Sequence, residues 1–293
     1  MSEKSGLSVV IPAHNEEKSI GDVIGKVQNV LKNTAYDYEI IIIDDGSTDK
    51  TADVVKNMNV RLIQHFSKEG YGKALKSGIR HARHDIIAII DADDTYPSEA
   101  LLSLVECMDK YDMVVGARTT KMVNDQFIRK LGKWVLKNIS NYLTETKIPD
   151  LNSGFRVFKK NVALKFFNIL PSGFSFTTTI TLAMLTNGYL VHYIPVNYYK
   201  RVGRSKIRPI RDMNQFIFLI FRTIMYFNPL KVFLPISVML FVTALAVFLY
   251  SFIFTPKIMD TSIVVIVTTA VQVFVIGMLA DLIDKRTQGA DYK

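Results

Sequence analysis

Ile86-Ile87-Ala88-Ile89-Ile90-Asp91-Ala92-Asp93-Asp94 is an unbroken apolar run that ends in an acidic cluster. A short run without polar alternation reads as a strand buried on both faces. In open α/β sheets, ligands gather at the carboxyl ends of such strands. Two earlier stretches repeat the pattern. Residues 7–11 close on Pro12-Ala13-His14-Asn15-Glu16-Glu17, and residues 40–43 close on Asp44-Asp45-Gly46-Ser47. Three polar clusters at three strand ends predict a single site.

The intervening segments carry helical spacing. Ile20, Val23, Ile24, Val27, Val30 and Leu31 define one apolar face, and Ala74, Leu75, Gly78, Ile79 and Ala82 another. Helices are predicted over 48–58 and 101–108, with strands over 60–63 and 113–115. Alternating strands and helices argue for an α/β fold, a mainly parallel sheet with helices on both faces. Cys107 is the only cysteine, so no intrachain disulfide can form. It lies in an apolar helical pattern and is read as buried.

The remainder of the 293-residue chain is different. Residues 232–254 and 263–280 contain no charged side chain. About 20 apolar residues cross a ~30 Å hydrocarbon core. The connector is short and contains Pro256, so the two spans read as a transmembrane hairpin. Arg201, Arg204, Lys206, Arg208, Arg211, Arg222 and Lys231 precede it, and Lys285 and Arg286 follow it. This asymmetry predicts both termini, and the domain that precedes the hairpin, on the cytoplasmic side. The first thirty residues lack a signal-peptide pattern, in agreement. The domains expected are 1–211, an interfacial helix over 212–229, and the hairpin over 230–284. Residues 127–144 combine Arg129, Lys130, Lys133 and Lys137 with Trp134 and an apolar line through Ile128, Leu131, Val135, Ile139 and Leu143. Such a helix suits a membrane surface, and it equally suits packing on the sheet. The net charge of +9 calls for anionic partners. The basic residues cluster beside the spans, which favours membrane lipid over nucleic acid.

Asp91 and Asp93, two apart in an extended segment, would face one ligand. Their oxygens suit Mg²⁺ or Mn²⁺ bridging to phosphate. The plain alternative is a solvated turn, with Asp94 or Thr95 capping the next helix. Asp44-Asp45-Gly46-Ser47 could likewise be no more than a helix start.

Together these motifs resemble glycosyltransferase family 2. The matching pieces are Val9-Val10-Ile11-Pro12-Ala13-His14-Asn15-Glu16-Glu17, Ile43-Asp44-Asp45-Gly46-Ser47-Thr48-Asp49, Gly70-Tyr71-Gly72-Lys73-Ala74 and Asp91-Ala92-Asp93. Asp150-Leu151-Asn152-Ser153-Gly154-Phe155-Arg156 resembles a segment of the dolichyl-phosphate mannose synthase-like branch, which includes polyprenyl-phosphate glycosyltransferases with a C-terminal hairpin. The resemblance implies the Rossmann-like GT-A fold. It also implies inverting transfer of a sugar from a UDP- or GDP-linked donor to a polyprenyl phosphate.

On this resemblance Pro12, Ala13, Asn15 and Glu16 line the nucleotide pocket and Asp44 contacts the nucleoside. Asp45, Lys73, Ala92 and Ser153 join the substrate-binding set. Asp91 lies near ribose or diphosphate, and Asp91 and Asp93 hold the metal. Arg118 and Arg156 approach the sugar or the acceptor phosphate, unless each is a structural ion pair. Asp91, Asp93, Asp150 and Arg156 form the expected catalytic set, with Asp150 a base or a positioner of Arg156. Arg201, Arg204 and Lys206, in a basic loop with Gly203 and Ser205, are expected to bind a diphosphate or lipid phosphate.

The chain departs from non-lipid members of the family where a Glu-Asp pair is usual. It reads Gly173-Phe174-Ser175-Phe176-Thr177-Thr178-Thr179-Ile180 there, with no acid. The Gln-x-x-Arg-Trp signature is also missing. A sugar hydroxyl needs a base. A phosphate monoester, with its second pKa near ~6, is already ionised. A glycerolipid hydroxyl acceptor, or a non-catalytic nucleotide-binding membrane module, are the alternatives. The residues leave the oligomeric state open, a homo-oligomer included.

Overall fold

The computed structural model describes residues 6–119, 127–173, 175–199, 225–226, 229–254 and 260–290, with backbone alone for 127–133 and 284–290. The chain divides into two compact units, Met1–Phe216 and Ile217–Lys293.

In the first unit, Gly6–Ala13 (β1) pairs in parallel with Asp37–Asp44 (β2) on one side and Ile86–Ile89 (β4) on the other. Arg61–Gln64 (β3) extends the sheet beyond β2, again in parallel. Beyond β4 come Arg156–Lys159 (β6), Met113–Arg118 (β5) and Val191–Val196 (β7), completing a seven-stranded sheet of order β3-β2-β1-β4-β6-β5-β7. Every pairing is parallel except the two made by β6.

Strand alternation divides the apolar residues between two cores. Leu7, Val9 and Ile11 of β1 and Ile40 and Ile42 of β2 face one core, covered by Ile20–Lys32 (α1) and Leu101–Glu106 (α4). Val10, Ile41 and Ile43 face the other, under Tyr71–His81 (α3), Lys160–Lys165 (α6) and Phe176–Thr186 (α7). Thr51–Lys56 (α2) is shorter than the predicted 48–58. Both faces are buried, so the strands carry no polar alternation.

The reversed strand β6 escapes a reading by periodicity. It has four residues, and β7 is a half-buried edge strand containing Pro195. Reversal matters because Arg156, the first residue of β6, pairs with Ile89 at the end of β4 and with Val115 of β5. The segment leading into β6 thus arrives at the carboxyl edge of its neighbours.

Phe127–Thr144 (α5) is a helix as predicted, and it packs on α7. Its buried line runs through Leu136, Ser140 and Leu143, one residue on from the expected Val135 and Ile139, which are half-buried. Trp134 is 65% exposed and Tyr142 50%. Cys107 is half-buried rather than buried.

In the second unit, Pro229–Phe254 (α8) and Asp260–Ala290 (α9) pack on each other. Pro229–Phe254 and the stretch Asp260–Ile283 of α9 are long and apolar enough to cross a membrane, with mean hydropathy 2.6 and 2.5 in their most apolar windows. Ser237, Ala244 and Ser251 of α8 are buried at heptad spacing. The Ser237 hydroxyl donates to the Ala270 carbonyl at 2.9 Å. A Cβ at Gly277 would lie 2.6 Å from the Phe233 Cβ. Small residues thus bring the backbones together, as packing in lipid requires. The predicted interfacial helix over 212–229 lies largely outside the described residues.

Phe158, central in β6 and 0% exposed, fills the second core. Phe158→Ala should destabilise the sheet unit by about 3–5 kcal/mol. Thermal unfolding of the detergent-solubilised chain checks this; an unchanged midpoint would contradict the packing.

Candidate active site

One side of the ligand edge is built from two loops zipped together at the ends of β1 and β2. The Asp45 N–H donates to the Ala13 carbonyl at 2.8 Å, continuing the ladder past the strand ends. The Asn15 N–H donates to Ser47 Oγ at 2.9 Å, and the Thr48 N–H returns to Asn15 Oδ1 at 2.7 Å. The Glu16 N–H donates to Thr51 Oγ1 at 2.9 Å. Asn15 adopts φ 55° to make this turn, a conformation that asparagine tolerates better than most residues. Pro12 and Ala13 are buried beneath.

Asp44 and Asp45 are buried and do different work. Asp44 Oδ1 accepts the Ser47 N–H at 3.0 Å and Oδ2 accepts Gln64 Nε2 at 3.2 Å. Asp45 staples the next loop down. Its Oδ1 lies 2.8 Å from His65 Nδ1 and accepts the Glu69 N–H at 2.9 Å, and Oδ2 accepts the Gly70 N–H at 2.8 Å. Burial alone raises the Asp45 pKa, but these hydrogen bonds outweigh it and hold the carboxyl below its usual value. The structure gives Asp45 a loop-holding place. Lys73 donates its N–H to the Ser172 carbonyl at 2.9 Å, and its ammonium lies 3.5 Å from Glu69 at the surface.

The centre of the edge is the turn after β4. The strand ends at Ile89, and Ala92 and Asp93 lie in a turn rather than the extended segment predicted. Strand alternation therefore does not aim the two carboxylates; the turn does. Asp91 is half-buried and its Oδ1 accepts the Tyr71 hydroxyl at 2.9 Å. Asp93 is 8% exposed, and its Oδ1 accepts the Thr95 hydroxyl at 2.6 Å. Ala92 is buried between them. Asp94, at φ 56°, pairs with Lys26 of α1 at 2.6 Å instead of capping a helix.

On the other side of the edge, Arg118 at the end of β5 meets Asp150 in a two-pronged ion pair. Nε–Oδ2 is 2.6 Å and Nη2–Oδ1 is 2.8 Å. The Arg118 guanidinium also lies 5.3 Å from the centroid of the Tyr198 ring. Burial raises the Asp150 pKa, but the hydrogen bonds and charge of Arg118 outweigh it and hold it below the ordinary value. Asp150 thus braces Arg118, not Arg156 as expected from the sequence.

Arg156 requires a larger correction. Expected in the catalytic set, it is 0% exposed. Its Nε donates to the Ser153 carbonyl at 3.1 Å, as does Nη2, and Nη1 donates to the Thr177 carbonyl and to Thr181 Oγ1, each at 3.0 Å. The guanidinium ties the start of β6 to α7 from inside. Burial draws its pKa down. Ser153, also fully buried, donates to the Gly116 carbonyl at 2.6 Å and so holds β5 and β6 together rather than facing a ligand. Arg201, Arg204 and Lys206 lie outside the described residues.

Tyr71 and Tyr96 are absent from the sequence-derived set. The Tyr96 hydroxyl accepts the Gly154 N–H at 3.0 Å, and burial pushes its pKa up. Tyr71 stands inside the Gly70-Tyr71-Gly72 turn, so a signal existed, but nothing in the sequence sets it opposite Asp91.

Among the described residues no cluster of three or more His, Cys, Asp and Glu could hold a metal. Asp91 and Asp93 supply at most a two-carboxylate, all-oxygen set. That fits Mg²⁺ or Mn²⁺, which take one or two carboxylates and complete their shells with water and substrate phosphates.

The ligand edge of the sheet thus carries acidic turns at the ends of β2 and β4. The family description "Glycosyl transferase family 2" fits residues 8–167, and "GtrB C-terminal hairpin" fits residues 228–285. The chain belongs to glycosyl transferase family 2, and it carries two helices fit to span a membrane. It is 28% identical over 205 residues to the dolichyl-phosphate hexose transferase of Haloferax volcanii, covering 69% of this chain and 87% of that one. It is 28% identical over 221 residues to the dolichol-phosphate mannosyltransferase of Pyrococcus furiosus, covering 69% of this chain and 59% of that one. Glucosyl-3-phosphoglycerate synthase from Mycobacterium tuberculosis, solved with Mn²⁺, UDP-glucose and glycerol 3-phosphate, superposes with a TM-score of 0.58 at 20% identity. The match covers 75% of this chain and 79% of that one, and it bears on the fold alone.

Asp45 and Asp150, both with lowered pKa, contribute stability above the unfolded carboxyl value of ~3.9 and lose it as pH falls through their folded values. Acid should therefore destabilise the sheet unit below about pH 4. Asp150→Asn should lower stability at neutral pH by on the order of 3 kcal/mol and flatten that acid dependence. Denaturation midpoints measured against pH check both, and identical curves for variant and parent would contradict the pairing.

Proposed function

We propose that this chain transfers a hexose from a nucleotide-sugar to a polyprenyl phosphate, with inversion, at the cytoplasmic face of a membrane. The observation that carries this reading is the state of Asp150. It is the acidic residue of the acceptor-side segment, and Arg118 holds it in a two-pronged pair with a lowered pKa. A carboxylate so held is a poor base. Helix α7, which follows, carries no acidic residue. An acceptor that arrives already ionised suits such a site, and a phosphate monoester does so. A glycerolipid hydroxyl does not.

The chemistry then balances without a protein base. A phosphate oxygen of the lipid attacks the anomeric carbon and forms the new C–O bond. The bond from that carbon to the diphosphate oxygen breaks, and the nucleoside diphosphate leaves with the electron pair. A single displacement inverts the centre. Pro12, Ala13, Asn15, Glu16 and Asp44 would cradle the nucleotide. Asp91 and Asp93 would hold Mg²⁺ or Mn²⁺, which offsets charge on the departing diphosphate. Arg118, stacked on Tyr198 and fixed by Asp150, keeps a cation at the end of β5. Arg201, Arg204 and Lys206 supply further phosphate-binding charge from the basic stretch before the hairpin. The polyprenyl-linked acceptors in the names of the relatives support the same class of acceptor.

The charge asymmetry around α8 and α9 supports cytoplasmic termini. The exposed Trp134 and Tyr142 of α5, with Arg129, Lys130, Lys133 and Lys137 on the same helix, support contact with anionic headgroups. Trp134 is the only tryptophan, so its fluorescence reports on this helix alone. In nanodiscs of anionic lipid, brominated chains should quench it, and terminal tags should react with reagents on the cytoplasmic side of intact cell membranes only after permeabilisation. Unquenched Trp134, or tags labelled from outside intact cells, would defeat this placement.

The reaction itself is tested with purified chain in detergent, polyprenyl phosphate, Mn²⁺ or Mg²⁺, and a panel of UDP- and GDP-sugars. One donor should be converted to a lipid-phosphate sugar, and Asp93→Ala should lower the rate by about a hundredfold or more. Transfer only to a diacylglycerol hydroxyl would overturn the assignment of the acceptor.

A further inference from the structure

Gly70-Tyr71-Gly72 enters α3 under unusual constraint. Gly70 has φ 111°, and a Cβ there would sit 2.7 Å from the Ser172 carbonyl oxygen. A Cβ at Gly72 would sit 2.2 Å from the Pro171 carbonyl oxygen. The turn lies flat against residues 171–173, and Lys73 donates its N–H to Ser172 at 2.9 Å. From below, the Gly70 N–H is held by Asp45 at 2.8 Å. Backbone on two sides fixes the one side chain between the glycines, and its ring packs on the second core. The hydroxyl at its tip reaches Asp91 Oδ1 at 2.9 Å.

The opposite side of Asp91 is equally confined. A Cβ on Gly154 would lie 2.1 Å from Asp91 Oδ2, so the carboxylate rests against the bare Cα of Gly154. Gly154 in turn donates its N–H to Tyr96. A carboxylate between a fixed phenol and a bare backbone can neither rotate freely nor withdraw.

We propose that Tyr71 is a positioning residue for the donor site. Its hydroxyl fixes the orientation of the Asp91 carboxylate at which nucleoside diphosphate and divalent cation bind. This rests on the proposed function, since it takes Asp91 to be the carboxylate that meets the metal–diphosphate. The pinned turn also joins Asp91 to the segment 171–173 that precedes α7, so one rigid piece of backbone serves the donor and acceptor sides. A hydroxyl that merely satisfied itself in the core would leave ligand binding unchanged when removed. A positioning hydroxyl would not, because ordering the carboxylate would then have to be done at the moment of binding.

Tyr71→Phe keeps the ring and removes only the hydrogen bond. The readout is Mn²⁺ binding to the full chain in detergent, followed by the electron paramagnetic resonance of free Mn²⁺ with UDP or GDP present, alongside the thermal midpoint. Tyr71→Phe should weaken nucleotide-dependent Mn²⁺ binding by about tenfold, as loss of a hydrogen bond to a charged group does. The thermal midpoint should fall by a few degrees at most, so that the variant is fully folded in the binding assay. Tyr193→Phe is the control, because the Tyr193 hydroxyl is buried without a hydrogen-bond partner among the described residues, and it should bind Mn²⁺ as the parent does. Equal affinity in Tyr71→Phe and parent overturns the role of Tyr71 and leaves the proposed reaction standing. No nucleotide-dependent Mn²⁺ binding by the parent overturns both.

Discussion

The Asp91 carboxylate occupies the space where a side chain at Gly154 would be. That contact exists because β6 runs against every neighbour in the sheet. In a wholly parallel sheet the residues before a strand lie at its far edge, away from the ligand side. Here the reversal brings residues 150–156 to the carboxyl ends of β4 and β5. Asp150, Ser153, Gly154 and Arg156 all enter the site region by that single inversion. Each then adopts a different environment, which the backbone path dictates and side-chain chemistry does not.

The charged groups around the edge divide by burial. Arg156 is wholly enclosed, and its guanidinium donates to carbonyls and a hydroxyl. Burying a cation is tolerable only with such partners. The result is a bracket between β6 and α7. Arg118 is 27% exposed at its side chain and has a carboxylate partner, so it keeps its charge near the ligand edge. Asp45 follows the logic of Arg156, enclosed and holding loops. Asp91 and Asp93 sit on a turn, where a phenol and a threonine hydroxyl donate to them. The enclosed Arg156 and Asp45 hold the frame, and the partly exposed Arg118 and Asp91 stand at the ligand edge.

The hairpin obeys another solvent. Its outward faces are apolar, and its contact line is made of serine, alanine and glycine. In lipid there is no hydrophobic gain from helix contact, so close backbone approach and a hydroxyl-to-carbonyl bond take over. On the proposed reading, an acceptor with a long isoprenoid tail stays in the bilayer, and this hairpin keeps the transferase beside it.

Much of this was legible without coordinates. The β-branched runs at 7–11, 40–43 and 86–90 announced strands buried on both faces, and the polar clusters behind them announced the ligand edge. The uncharged stretches near the C-terminus announced the hairpin, because about 20 apolar residues have few other uses. Local composition fixes these features, since burial on both faces or in lipid leaves little choice of residue. The roles of the arginines were not legible. Arg118 and Arg156 look alike in sequence, and only the direction of β6 decides that one stands at the rim and the other inside. The partner of Asp150 was misread for the same reason, because proximity in sequence to Arg156 says nothing of pairing across strands with Arg118. Tyr71 and Asp91 are 20 residues apart and meet only through the packing of α3 on the sheet. The sequence by itself determined the elements and the edge at which chemistry is possible. The tertiary structure decided which polar groups there stay partly exposed at the edge and which hold the frame, because that depends on strand direction and burial, and these are set by contacts between distant segments.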